Sequence, residues 1–101
     1  MKIDSRTFQF NMKNDYYYFI KSHNLVNRVY DMLIFFKIVK STKNEKGIKQ
    51  FLKKKLMDVE YTETLAKIFE KKLRKHKNNV ELRCNINDLI YDLEYLKQYL
   101  F

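Results

Sequence analysis

Proline and tryptophan are missing from this chain, and glycine, alanine and cysteine occur once each, as Gly47, Ala66 and Cys84. With one glycine, the glycine-rich loops that cradle phosphates are excluded. A lone cysteine forms no internal disulfide and gives no sign of an oxidising compartment. Zinc needs about four Cys or His ligands at short paired spacings. One Cys and two distant His (His23, His76) do not supply them, so no metal and no cofactor is expected. Long apolar runs are missing too. The most apolar stretch, Val29 to Val39, holds an unbroken run only from Met32 to Phe36, far short of the roughly 20 residues of a membrane span. No membrane segment and no secretory signal is expected, which makes an intracellular, cytoplasmic protein the expectation.

Catalytic patterns are equally scarce. No G-x-S-x-G turn surrounds a serine, and Cys84 has no base and orienting group at a recognisable spacing. The chain is expected not to be an enzyme and to have no small-molecule substrate.

Apolar and aromatic residues, by contrast, are plentiful: 46% of the chain is hydrophobic, with eight Tyr and eight Phe. That is enough to bury a core in a single domain spanning residues 1–101. Lys, Asn, Tyr, Phe and Ile, all specified by AT-rich codons, dominate the composition, pointing to an AT-rich genome. Codon drift explains why Lys outnumbers Arg 17 to 4, but it would scatter the lysines evenly. They are segregated. Residues 1–36 hold five basic and three acidic side chains, net +2; residues 37–77 hold fourteen and five, net +9; residues 78–101 hold two and four, net −2. Concentrated charge of one sign points to a polyanion-facing surface.

The apolar spacing predicts a mainly α fold, a small helical bundle of four to five helices. A short helix is expected at Tyr16-Tyr17-Tyr18-Phe19-Ile20, after Asn14 or Asp15 as cap. A longer helix, apolar over most of its girth and therefore central, is expected from about Leu25 to Lys40. Residues 41–46 read as a loop ending at Gly47. Amphipathic helices follow over 48–57 and, capped by Asp58, over 59–77. Phe8, Phe10 and Met12 alternate with polar residues, as do Val80, Leu82, Cys84 and Ile86, so a short two-stranded ribbon of 7–12 with 80–86 is a further expectation. The last helix is expected to start after Asn87 or Asp88, with Leu89, Leu93, Leu96 and Leu100 along one side.

Two surfaces stand out. Lys67, Lys71, Arg74 and Lys75 recur at helical spacing, and Lys49 and Lys53, with Lys54 beside them, do the same one helix earlier. If those helices pack antiparallel, the stripes make one phosphate-binding face. Glu63 and Glu70 precede Lys67 and Arg74 by four residues, the spacing of intrahelical ion pairs. Base reading by a helix-turn-helix is disfavoured, because Glu60 and Glu63 would occupy the reading end of the second helix. Tyr91, Tyr95 and Tyr99 recur every four residues opposite the leucines, as at a protein interface. Together these features predict a non-enzymatic binding module that docks a basic helical face on structured RNA or a ribonucleoprotein, for example on a ribosome. The alternative is a protein-only interaction module of viral or phage type that grips an acidic protein, or self-associates through its C-terminal helix.

Overall fold

The computed structural model describes residues 15–39 and 44–100, the last two by backbone only. They form five helices and, among the described residues, no strand: α1 (15–22), α2 (Leu25–Phe35), α3 (Glu45–Lys55), α4 (Val59–Lys75) and α5 (Val80–Leu100). The small helical bundle read from the apolar spacing is what the chain forms.

In place of proline and glycine, the helix ends use asparagine, aspartate and lysine. Asn24 adopts the left-handed conformation (φ 51°) and breaks what would otherwise be one continuous helix into α1 and α2. Asparagine visits that region at less cost than most residues. α2 stops at Phe35, short of the expected Lys40, because Lys37 is also left-handed (φ 58°). The Ile38 amide donates to the Leu33 carbonyl (2.9 Å) and the Lys37 amide to that of Ile34 (3.0 Å), the Schellman closure. α3 begins at Glu45, so Gly47 lies within a helical turn rather than ending a loop. Asp58 caps α4 as expected, its Oδ1 accepting from the Glu60 amide at 3.0 Å and the Tyr61 amide at 3.4 Å.

The ribbon does not form. Residues 7–12 lie outside the described part, and 80–86 are the first two turns of α5. Asn79, not Asn87 or Asp88, caps this helix, its Oδ1 accepting from the Leu82 amide at 3.1 Å. The alternation over 80–86 competes with a longer pattern: half-buried Leu82, then buried Ile86, Leu89, Leu93 and Leu96, at spacings of four and three. That stripe extends the leucine face upstream by two turns, and it wins because it buries four residues and half-buries a fifth on one side. Val80 (63% exposed) and Cys84, which the alternation groups with Leu82 and Ile86, are turned to solvent.

One apolar cluster joins all five helices. α2 (Leu25, Val29, Tyr30 and Leu33) and α5 (Ile86, Leu89, Leu93 and Leu96) contribute four buried residues each; Tyr16 and Ile20 of α1, Leu52 of α3, and Leu65 and Phe69 of α4 complete most of it. α2 packs against both α3 and α5, the central position expected of it, although Phe35 at its end is 60% exposed. α4 and α5 form the most extensively packed pair, a hairpin turning at 76–79, while α3 packs chiefly on α2. Lys97, late in α5, lies 3.8 Å from Glu63, early in α4, and 2.9 Å from Glu94, which marks the hairpin as antiparallel. Arg28 ties three elements together: it donates to the His23 carbonyl at the end of α1 (3.0 Å) and to Asp92 of α5 (2.5 Å).

Thr62 is fully buried where α3 turns into α4. Its hydroxyl lies 2.9 Å from the Asp58 carbonyl and 3.3 Å from that of Leu56, so the buried corner has its hydrogen-bond donor.

Candidate functional site

Chemistry at this surface begins with which charges are left uncompensated. On α4, buried Thr62, Leu65, Ala66 and Phe69 define the inner face. At 100° per residue, Lys67, Lys71, Arg74 and Lys75 fall on the outer face within an arc of about 100°. All four are exposed, and among the described residues none lies within ion-pair distance of a carboxylate. The expected intrahelical pairs do not form. Glu63 is turned to Lys97 across the hairpin, and Glu70 lies on the same flank, where its charge joins those of Glu94 and Glu63 on Lys97. Chiefly through its hydrogen bond to Glu94, Lys97 is held above the ordinary lysine value of 10.5. Glu63 and Glu70 thus face the α4–α5 seam, and the outer stripe from Lys67 to Lys75 carries no ion-paired acid among the described residues.

α3 carries a different arrangement. Leu52, and Leu56 just beyond the helix, are buried, and Lys46, Lys49 and Lys53 lie along one flank within about 60° of arc. Lys49 is anchored: its Nζ is 2.8 Å from Glu45 and 5.1 Å from the centre of the Tyr30 ring. The Glu45 hydrogen bond raises its pKa. Lys53 and Lys54 are exposed and, among the described residues, unpaired. Because α3 packs on α2 and α4 on α5, the lysines of the two helices do not form the single antiparallel face expected from their spacing. They form two basic surfaces.

Opposite the lysine flank of α3 stands α1. Between them runs a groove of about 610 Å³, lined by Tyr17, Tyr18 and Lys21 from α1 and by Lys46, Lys49 and Lys53 from α3, with Asn24, Asn27 and Gln50 supplying amides. Among the described residues, no carboxylate lines it. A second concavity continues over Gln50, Phe51, Lys53 and Lys54, sharing Tyr17. Of the three adjacent tyrosines, Tyr16 belongs to the core, and its ring stacks on Tyr17 (5.1 Å between centres, 20° between planes). Tyr18 is 74% exposed.

The C-terminal tyrosines divide. Tyr91 is 70% exposed beside Asn87, Asp88 and Glu94, whereas Tyr95 stacks on Phe19 of α1 at 5.1 Å and so serves the fold in part. The side chain of Tyr99 lies outside the described residues.

Of the residues singled out from spacing, the structure brings together Lys49 and Lys53 at the groove and Lys67, Lys71, Arg74 and Lys75 on the α4 stripe. Spacing missed Lys21 and Lys46 as partners of Lys49 and Lys53. The i, i+3, i+7 recurrence of Lys46, Lys49 and Lys53 was the available signal for half of the groove. Nothing local in the chain places α1 across from it.

Among the described residues, no cluster of three or more His, Cys, Asp or Glu side chains is arranged to hold a metal ion, and no helix is long and apolar enough to cross a membrane. No family model, curated protein or solved structure matches the chain.

Proposed function

We propose that this protein is a non-enzymatic RNA-binding module that docks its basic helical surfaces on structured RNA or a ribonucleoprotein. The observation that carries this reading is the stripe Lys67, Lys71, Arg74 and Lys75, none of which lies within ion-pair distance of a carboxylate among the described residues, while Glu63 reaches Lys97 instead. Solvated lysines on an ordinary surface helix are interspersed with acids at i+4 and pair with them at little net gain. Here Glu63 and Glu70 stand at that spacing and neither pairs with the stripe among the described residues. A ligand with regularly spaced negative charge gains from such a stripe through released counterions. Lys49, Lys53 and Lys54 extend the phosphate-contacting set on α3. A cytoplasmic, ribosome-associated role is the setting that suits phosphate contact without base reading.

A native pull-down with and without nuclease tests this. Nuclease should release the captured partners, and charge reversal at Lys71 and Arg74 should abolish capture without changing the circular dichroism spectrum. Capture that survives both treatments would refute the reading. The second reading is a protein-only module that grips an acidic protein or self-associates through α5. Exposed Tyr91 between Asp88 and Glu94 favours it. A nucleic-acid-free preparation whose mass is that of a dimer, and becomes that of a monomer in Tyr91→Asp, would establish it.

A further inference from the structure

From the groove between α1 and α3, we infer a binding site for unpaired nucleotides of RNA, so that the protein selects single-stranded segments within its target. This inference rests on the RNA-binding reading above and assigns part of it to a site.

Three properties of the groove lead there. The first is charge: Lys21, Lys46 and Lys53, with Lys49 held by Glu45, converge on it from two helices and no carboxylate lines it among the described residues, so its occupant is anionic. From Lys46 to Lys53 the flank runs about 10 Å along α3, roughly the reach of two or three consecutive phosphates. The second is a pair of phenol rings, Tyr17 and Tyr18, on the facing wall. Tyr17 is held by its stack on buried Tyr16, so its orientation is set before any ligand arrives. Tyr18 is 74% exposed, a large apolar surface in water. Base–aromatic stacking uses such rings, and every base has a face to offer. The third is the amide set of Asn24, Asn27 and Gln50, donors and acceptors suited to base edges and 2′-hydroxyls.

The combination separates RNA states. A duplex presents phosphates but hides its base faces in its own stack, leaving the tyrosines without a partner. An acidic peptide without aromatic side chains offers charge but no planar rings. Unpaired nucleotides supply both, alternating at the spacing of a backbone. Lysines gathered for solvation alone would not need tyrosines in the same groove, and tyrosines left over from the core would not need acids excluded from it.

The test compares a fluorescently labelled oligouridine with an RNA duplex of equal phosphate number, by anisotropy at one salt concentration. The single strand should bind more tightly and quench tyrosine fluorescence. Tyr18→Ala should weaken the single strand by roughly fivefold to a hundredfold, the range for losing one stacked base, and leave the duplex unchanged. Tyr18→Phe should keep the preference, and Lys53→Gln should weaken the single strand more than the duplex. Tyr18 is exposed, so its replacement does not threaten the fold. If both RNAs bind alike and Tyr18→Ala changes neither, the groove assignment fails while the basic-surface reading stands. If neither RNA binds, both fail. Displacement of the single strand by oligoglutamate of matched charge as effectively as by unlabelled oligouridine would also overturn the assignment.

Discussion

The α4 stripe makes a quantitative prediction about salt. An RNA seated on Lys67, Lys71, Arg74 and Lys75 alone releases counterions from four phosphate contacts. At roughly 0.7–0.9 per contact, the slope of log K against log salt is about −3. Raising salt fourfold should then weaken binding by roughly 60-fold. If Lys53 and Lys54 of α3 belong to the same footprint, six contacts give a slope of about −4 to −5. The measured slope therefore distinguishes one basic surface from two acting together. Replacing Lys71 and Arg74 together by Gln removes two contacts from the centre of the stripe. It should bring the slope of a four-contact footprint to about −1.5, so that the same fourfold rise costs roughly eightfold. Anisotropy titrations across a series of salt concentrations measure both slopes. A wild-type slope near zero would refute the electrostatic reasoning. So would a slope that the double substitution leaves unchanged, which would place the contact elsewhere.

Further predictions concern the fold that carries these surfaces. Thr62→Val keeps the shape of a fully buried side chain but removes the hydroxyl donor that the Asp58 carbonyl (2.9 Å) and the Leu56 carbonyl (3.3 Å) share. It should destabilise by about 1–2 kcal/mol, lowering Tm by several degrees in thermal denaturation, and a rise in Tm would contradict the role given to the hydroxyl. Lys37→Gly should stabilise by about 1 kcal/mol, because Lys37 occupies a left-handed position (φ 58°) that glycine enters without steric cost; chemical denaturation measures this. Stability should hold through neutral pH and fall above about pH 10. Burial raises the Tyr61 phenol above its ordinary 10.0, and Glu94 raises Lys97 above 10.5. In both cases the folded state binds the proton more tightly, so the stabilisation is fully present below the unfolded values and is lost as pH rises through the folded ones. Tyr61→Phe should flatten part of that alkaline loss in a Tm-against-pH profile.

What could be read along the chain was whatever is governed within three or four residues. Asp58 as a cap, the amphipathic spacing of α3 and α4, and the leucines of α5 are local in this sense, since a helix closes its hydrogen bonds over four residues and repeats its faces over seven. The misreadings also have local causes. Over 80–86 a period of two and a period of 3.6 share Leu82 and Ile86, and only the stripe continuing to Leu96 separates them. Lys37 and Asn24 end and begin helices through left-handed backbone, which residue type alone does not announce when glycine is so scarce.

The concentration of positive charge in residues 37–77 was a property of the chain, but its division between two surfaces was a property of packing. α3 goes to α2 and α4 to α5 because of which apolar stripes match, and helix pairing of that kind joins residues far apart in sequence. Glu63 could serve Lys67 or Lys97, and the antiparallel hairpin places Lys97 within reach. The groove is the clearest case. Tyr17 and Lys53 are separated by more than thirty residues, and nothing short of the fold puts a lysine flank opposite two phenol rings.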